Sequence, residues 1–219
     1  MYQEVFKKFS QLEGSQHIAS EFALRGIENL IRNKNIKTIF EFGVGIGTIP
    51  YLLYKINPDL YYTGTENNNF CVSALNKNLK GIIENERFNQ IKDYTEFEGE
   101  KVDLVIIDGK FNDVLFLKKI CHDKTLIFIE GHRLDQQKFV LTVFPNALLC
   151  TKISNKKNKP YSPFYNEIKN PYNGGYSFIR LENNFKNKLK HFINKLKTSL
   201  KYKLRIFKKH IYFLGLTKQ

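Results

Sequence analysis

The stretch EFGVGIGT, residues 41–48, sets three glycines at alternate positions behind Glu41. Glycine costs backbone entropy, so such a run is kept where something must approach the bare main chain. Glu66, Asp93, Asp108, Glu130 and His132 each stand at or just past the end of a stretch that reads as a strand. Carboxylates there can accept hydrogen bonds from a ligand's hydroxyl or amino groups. His132, and after it Asp108, could draw the proton from a hydroxyl nucleophile. The group therefore has the parts to hold a ligand against the backbone and to work on it.

These residues need elements to carry them. IKTIFEFG, LYYTGTE, RFNQIKD, KVDLVIIDG and TLIFIEG read as five strands, with NALLCTKI and GGYSFIRLE as two more. Between them TIPYLLYKI, NFCVSALNKNL, DVLFLKKIC and DQQKFVLTVF read as helices. A further helix is expected over residues 15–32, from Ile18, Phe22, Ile27, Leu30 and Ile31, with Ser15 as its N-cap. Alternating strands and helices predict an α/β fold with a doubly wound, mostly parallel sheet. Ligands of such sheets bind at the carboxyl ends of the strands, and the polar positions above share that rim. The organisation expected is an N-terminal helical segment (1–35), a sheet domain (36–182) and a separate tail (183–219).

The glycine pattern departs from the dinucleotide fingerprint G-x-G-x-x-G, because the third glycine, Gly47, comes one place early. A nucleotide cofactor stays open as the alternative. The form E-x-G-x-G-x-G, an acid ending strand two, an acid after strand three and an Asp after strand four resemble the class I S-adenosylmethionine-dependent methyltransferases. The resemblance spans about residues 36–182. It implies a Rossmann-like seven-stranded sheet with an antiparallel last strand, and S-adenosylmethionine as cofactor. Gly43, Gly45 and Gly47 would then admit the cofactor to the backbone, and Glu41 would face its ammonium. Glu66 would accept from the ribose diol. Asp93 would accept from the adenine amino group, with Tyr94 or Phe70 beside the ring. Asp108, Lys110, Glu130 and His132 would lie near the methyl group. His132 is the preferred base for a hydroxyl acceptor and Asp108 the second. The metal-dependent members of the family carry an Asp-Asn pair after strand five; here Glu130-Gly131 stands there, so no metal is expected.

The chain has 219 residues and a formal net charge of +14. MYQEVFKKFSQLEG lacks an apolar core behind its lysines, so no secretory leader is expected. Cys71, Cys121 and Cys150 are widely spaced, which fits reduced thiols in the cytoplasm rather than a disulfide framework or zinc site. Residues 183–219 hold eleven Lys or Arg and no Asp or Glu. Phe185, Leu189, Phe192, Leu196, Leu200, Leu204, Phe207, Ile211 and Leu214 recur there by threes and fours. A basic amphipathic helix on an anionic membrane surface is expected. Packing on the domain or binding of nucleic acid are the alternatives. The function expected is O-methylation of a sugar or other small or lipid-linked acceptor in cell-surface glycan assembly, at the inner face of a membrane. An RNA or DNA methyltransferase, or a cofactor-binding scaffold without turnover, are the other readings.

Overall fold

The computed structural model describes residues 1–131, 133–156, 162–164 and 174–213, the last six as backbone alone. Seven strands form one sheet: β1 (Thr38–Phe42), β2 (Tyr61–Thr65), β3 (Phe88–Ile91), β4 (Val102–Ile107), β5 (Cys121–Glu130), β6 (Leu148–Ile153) and β7 (Gly175–Arg180). Their order is β3-β2-β1-β4-β5-β7-β6. All run parallel except β7, which lies antiparallel between β5 and β6. The helices are α1 (Tyr2–Ser10), α2 (Glu21–Asn33), α3 (Thr48–Ile56), α4 (Asn69–Asn78), α5 (Val114–Ile120), α6 (Leu134–Val143) and α7 (Phe185–Phe213).

Both faces of the sheet are covered, which is why its central strands carry runs such as LVII in β4 and LIFI in β5. In β4, Leu104 and Ile106 enter a core with Phe9, Leu24, Ile27 and Leu52 of α1–α3. Val105 and Ile107 enter the opposite core, with Phe116 and Leu117 of α5 and Val140 of α6. The side-chain period of two thus divides one strand between two cores.

The start MYQEVFKKFS, inside the expected N-terminal helical segment, forms α1, whose Val5 and Phe9 are buried. Three local readings are corrected. The helix expected over 15–32 is broken. Ser15–His17 is a 3-10 turn and α2 begins at Glu21. Its N-cap is Ser20, whose Oγ accepts from the Ala23 amide at 3.3 Å, not Ser15. Ser15 is buried and its hydroxyl instead bonds that of Ser162. Finally, β5 starts four residues before TLIFIEG, straight after α5, and its register with β4 shifts between Val102 and Leu104.

Candidate active site

Chain direction across the sheet reverses at β1, which pairs with β2 on one side and β4 on the other. Loops after these strands part there and leave a crevice. A cleft of about 550 Å³ fills it, within the range that holds a nucleoside-sized ligand. Its walls come from the glycine loop and the ends of β2, β3, β4 and β5. The broken 15–20 segment adds a strap of Gln16, His17 and Ile18.

Gly43 and Gly45 line the cleft, both with positive φ (85° and 58°). A Cβ on Gly43 would come within 2.8 Å of the Gly109 amide nitrogen, and one on Gly45 would run into the His17 carbonyl oxygen. The bare backbone expected here for a ligand is therefore required first by the protein's own main chain. Gly47 is not in the cleft wall. It is the N-cap of α3, packed on Leu79.

Glu41, expected to face an ammonium, is fully buried in β1 and is absent from the cleft wall. Its Oε2 accepts from the Tyr62 hydroxyl at 2.7 Å, and its Oε1 has no partner among the described residues. Burial pushes this carboxyl well above the usual range, against the Tyr62 bond, and nearby Asp108 and Glu66 add to the effect.

Glu66 does line the cleft, immediately after β2. Its Oε2 accepts from the Gly45 amide at 2.8 Å and its Oε1 from the Asn68 amide at 2.9 Å. The carboxylate is thus fixed by the glycine loop and keeps further lone pairs for a ligand. Asp93 and Tyr94 also line the cleft. Asp93 Oδ1 accepts from the amide and hydroxyl of Thr95, bonds that hold this exposed carboxyl below its usual range. The Tyr94 hydroxyl donates to Asp113 Oδ2 at 3.2 Å, and its ring meets Phe111 edge-on. Phe70 is not at the cleft; its ring lies over Gly14.

Asp108, Lys110 and Glu130 all reach the cleft, and Arg133 joins them. Arg133 donates through Nη2 to Asp108 Oδ1 at 2.9 Å and through Nη1 to the Gly109 carbonyl at 3.0 Å. Glu130 Oε2 is 4.0 Å from the same Nη2, while its Oε1 accepts from the Ser20 amide and hydroxyl. His132 lies outside the described residues. Reading EGHR from the sequence selects the histidine and passes over the arginine. Only the pairing with Asp108 across 25 residues marks Arg133 out.

No family model and no curated protein match the chain. Solved structures do. Precorrin-6y C5,15-methyltransferase from Geobacter metallireducens superposes with a TM-score of 0.60 at 12% identity, over 77% of this chain and 92% of that one. The O-methyltransferase TomG from Streptomyces achromogenes, solved with SAM, and an O-methyltransferase from Bacillus cereus, solved with SAH, each give 0.60 at 12% identity. Each covers 82% of this chain and 90% of its own. The chain has the Rossmann-like methyltransferase fold.

Within that methyltransferase fold, Asp108 and Glu130 share one guanidinium. Two ionised carboxylates beside a single cation leave an excess negative charge in a secluded place. Burial and the neighbouring Glu130 push the Asp108 carboxyl up to about 8, in spite of Arg133. Glu130 is raised as well, by burial, against the Ser20 bonds and Arg133. Such a pair can take up a proton near neutral pH, and it is completed by an added positive charge. Among the described residues no group of three or more His, Cys, Asp or Glu is placed to hold a metal ion.

Proposed function

We propose that this chain is an S-adenosylmethionine-dependent methyltransferase. Its acceptor, on this reading, is a sugar hydroxyl or another small or lipid-linked hydroxyl. Such acceptors serve cell-surface glycan assembly at the inner face of a membrane, where we place the enzyme. The observation that carries the reading is Glu66, a carboxylate at the end of β2 fixed by the Gly45 amide and open to the cleft. A vicinal diol matches such a carboxylate with two donated hydrogen bonds.

The residues fit the cofactor in kind. Glu66 would take the ribose diol, Asp93 the adenine amino group through Oδ2, and Tyr94 the flank of the ring. Gly43 and Gly45 form the loop beneath. Glu41 and Gly47 act from below, by holding Tyr62 and starting α3. Asp108 and Glu130 provide the negative charge that suits a sulfonium or ammonium. When bound, S-adenosylmethionine supplies an electrophilic methyl group. The chain's own work is to orient the acceptor, exclude water and receive the hydroxyl proton. Asp108 suits that last task because it lines the cleft and a bound cation would leave its carboxyl ionised, ready to accept a proton. His132 is the other candidate.

Calorimetric titration with S-adenosylmethionine and S-adenosylhomocysteine tests the cofactor; saturable binding of both is expected, and folded protein that binds neither overturns it. Labelled-methyl transfer to free and lipid-linked sugars tests the acceptor. Transfer to RNA alone would overturn the sugar reading, and tight cofactor binding without any turnover would favour a scaffold.

A further inference from the structure

Helix α7 is mounted the wrong way round for a helix of a globular domain. Such a helix turns its apolar stripe to the core and its polar face to water. Among the described side chains of α7, those that are not exposed are Asn187, His191, Asn194, Thr198, Lys201 and Arg205, spaced by fours and threes and all polar. Thr198 Oγ1 donates to the Thr151 carbonyl, and Lys201 Nζ to the Ile153 carbonyl at 3.1 Å. These two carbonyls are two residues apart, hence on one side of edge strand β6. Lys152 Nζ donates to Asn194 Oδ1, and Arg205 to the Ser154 carbonyl and to Asn155 Oδ1. The polar face therefore caps the open edge of the sheet.

The opposite face carries the apolar row. Phe185, Phe192, Leu196, Leu200 and Phe207 are each at least half exposed. At 100° per residue, Lys186, Lys190 and Lys197 flank the row on one side and Lys188 and Lys195 on the other. Lys203 falls within the row, where its stem can carry the ammonium outward.

From this mounting we infer that the outward face of α7 is a surface for anionic lipid bilayers, on which the helix lies flat. An apolar row between two lysine rows matches acyl chains below and anionic headgroups on either side. A second copy of the helix fits worse, because residues 183–219 contain no acid to meet its lysines. Nucleic acid would engage the lysines and leave the whole row in water. Among the described residues no helix is long and apolar enough to cross a membrane. The 29 residues of α7 extend about 43 Å along the surface.

The test uses the full chain, vesicles of phosphatidylcholine with and without phosphatidylglycerol, and the variant L196N/L200N/L204N, which leaves the charge unchanged. The parent should sediment with the anionic vesicles and not with the neutral ones. The variant should partition at least tenfold more weakly, with its melting temperature and cofactor affinity unchanged, because its three sites are solvent-facing. A fall in melting temperature would mean that the row packs on the protein and would overturn the inference. So would a parent that sediments in solution as a dimer and a variant that does not. Equal vesicle binding by parent and variant would reduce the contact to charge alone and overturn it also.

Discussion

Replacing Glu66 separates two roles that its position joins. In the protein the carboxylate holds the Gly45 amide at 2.8 Å in a part-buried site and the Asn68 amide at 2.9 Å in an exposed one. Water can replace the second bond but not readily the first. Glu66→Ala should therefore lose about one charge-assisted hydrogen bond, roughly 1.5–3 kcal/mol of stability. For a chain of this size that is a fall in melting temperature of about 3–12 °C. The ligand's share comes on top. A ribose diol giving two bonds to the carboxylate implies at least about 2 kcal/mol more, or roughly thirtyfold in cofactor affinity. Glu66→Gln should sit between, since one amide oxygen survives as acceptor while the NH₂ group faces a donor. Scanning calorimetry reads the first quantity and isothermal titration with S-adenosylmethionine the second. If Glu66→Ala melts lower as expected but binds the cofactor within threefold of the parent, the carboxylate serves the loop alone and the ribose assignment fails.

Gly45→Ala must adopt φ near 58° and press its Cβ on the His17 carbonyl. It should lose about 1–2 kcal/mol from the left-handed backbone alone and expose the 15–18 strap to protease; an unchanged melting temperature and digestion pattern would refute the packing described. Burial and Glu130 raise the Asp108 carboxyl, so below about pH 8 it holds a proton that a bound cation would expel. Affinity for S-adenosylmethionine should therefore rise with pH up to about 8, by at most tenfold per unit, and Asp108→Asn should flatten the dependence. A flat profile in the parent would contradict it. His132→Ala and Asp108→Ala tested with a true acceptor should identify the base by a loss of about 10²–10⁴ in turnover; full rate in both means that neither is the base.

Much of the frame was legible because β1 and β4 announce themselves. In β4 the run LVII closes on Asp108 and Gly109, and in β1 the run from Ile39 to Phe42 is interrupted by the buried Glu41 before Gly43; burial on both faces demands such apolar runs. The failures share a different cause. The break before α2 is hidden because Ile18, Phe22 and Ile27 keep helical spacing across it. What fixes Ser20 as the cap is Glu130, 110 residues away. Glu41 looks like a rim residue from its place in the motif, yet Tyr62 holds it inside the protein. The glycines did mark a place where side chains cannot fit, but the neighbours that forbid them are Gly109 and His17, which spacing along the chain cannot reveal. Periodicity likewise finds the apolar row of α7 and says nothing of which face meets β6. The free carbonyls of an edge strand decided that, and they favour polar partners over apolar ones.

The cap on β6 also sets a height. The contacts of α7 fall along β6 and just past its end, from Thr198 at Thr151 to Arg205 at Ser154, so the helix lies across the open edge of the sheet. A bilayer beneath α7 would then lie along that edge, and the cleft at the carboxyl ends of the strands would open sideways rather than down. Between β4 and that bilayer stand β5, β7 and β6, at about 4.8 Å per strand, and the helix itself, about 10 Å thick. The reacting centre would ride about 25 Å above the lipid. A hydroxyl anchored directly at the headgroup could not reach it. On the membrane seating proposed for α7, a lipid-borne acceptor would have to present that hydroxyl at the far end of an extended stem, and the mounting of one helix would act as a ruler on acceptor length.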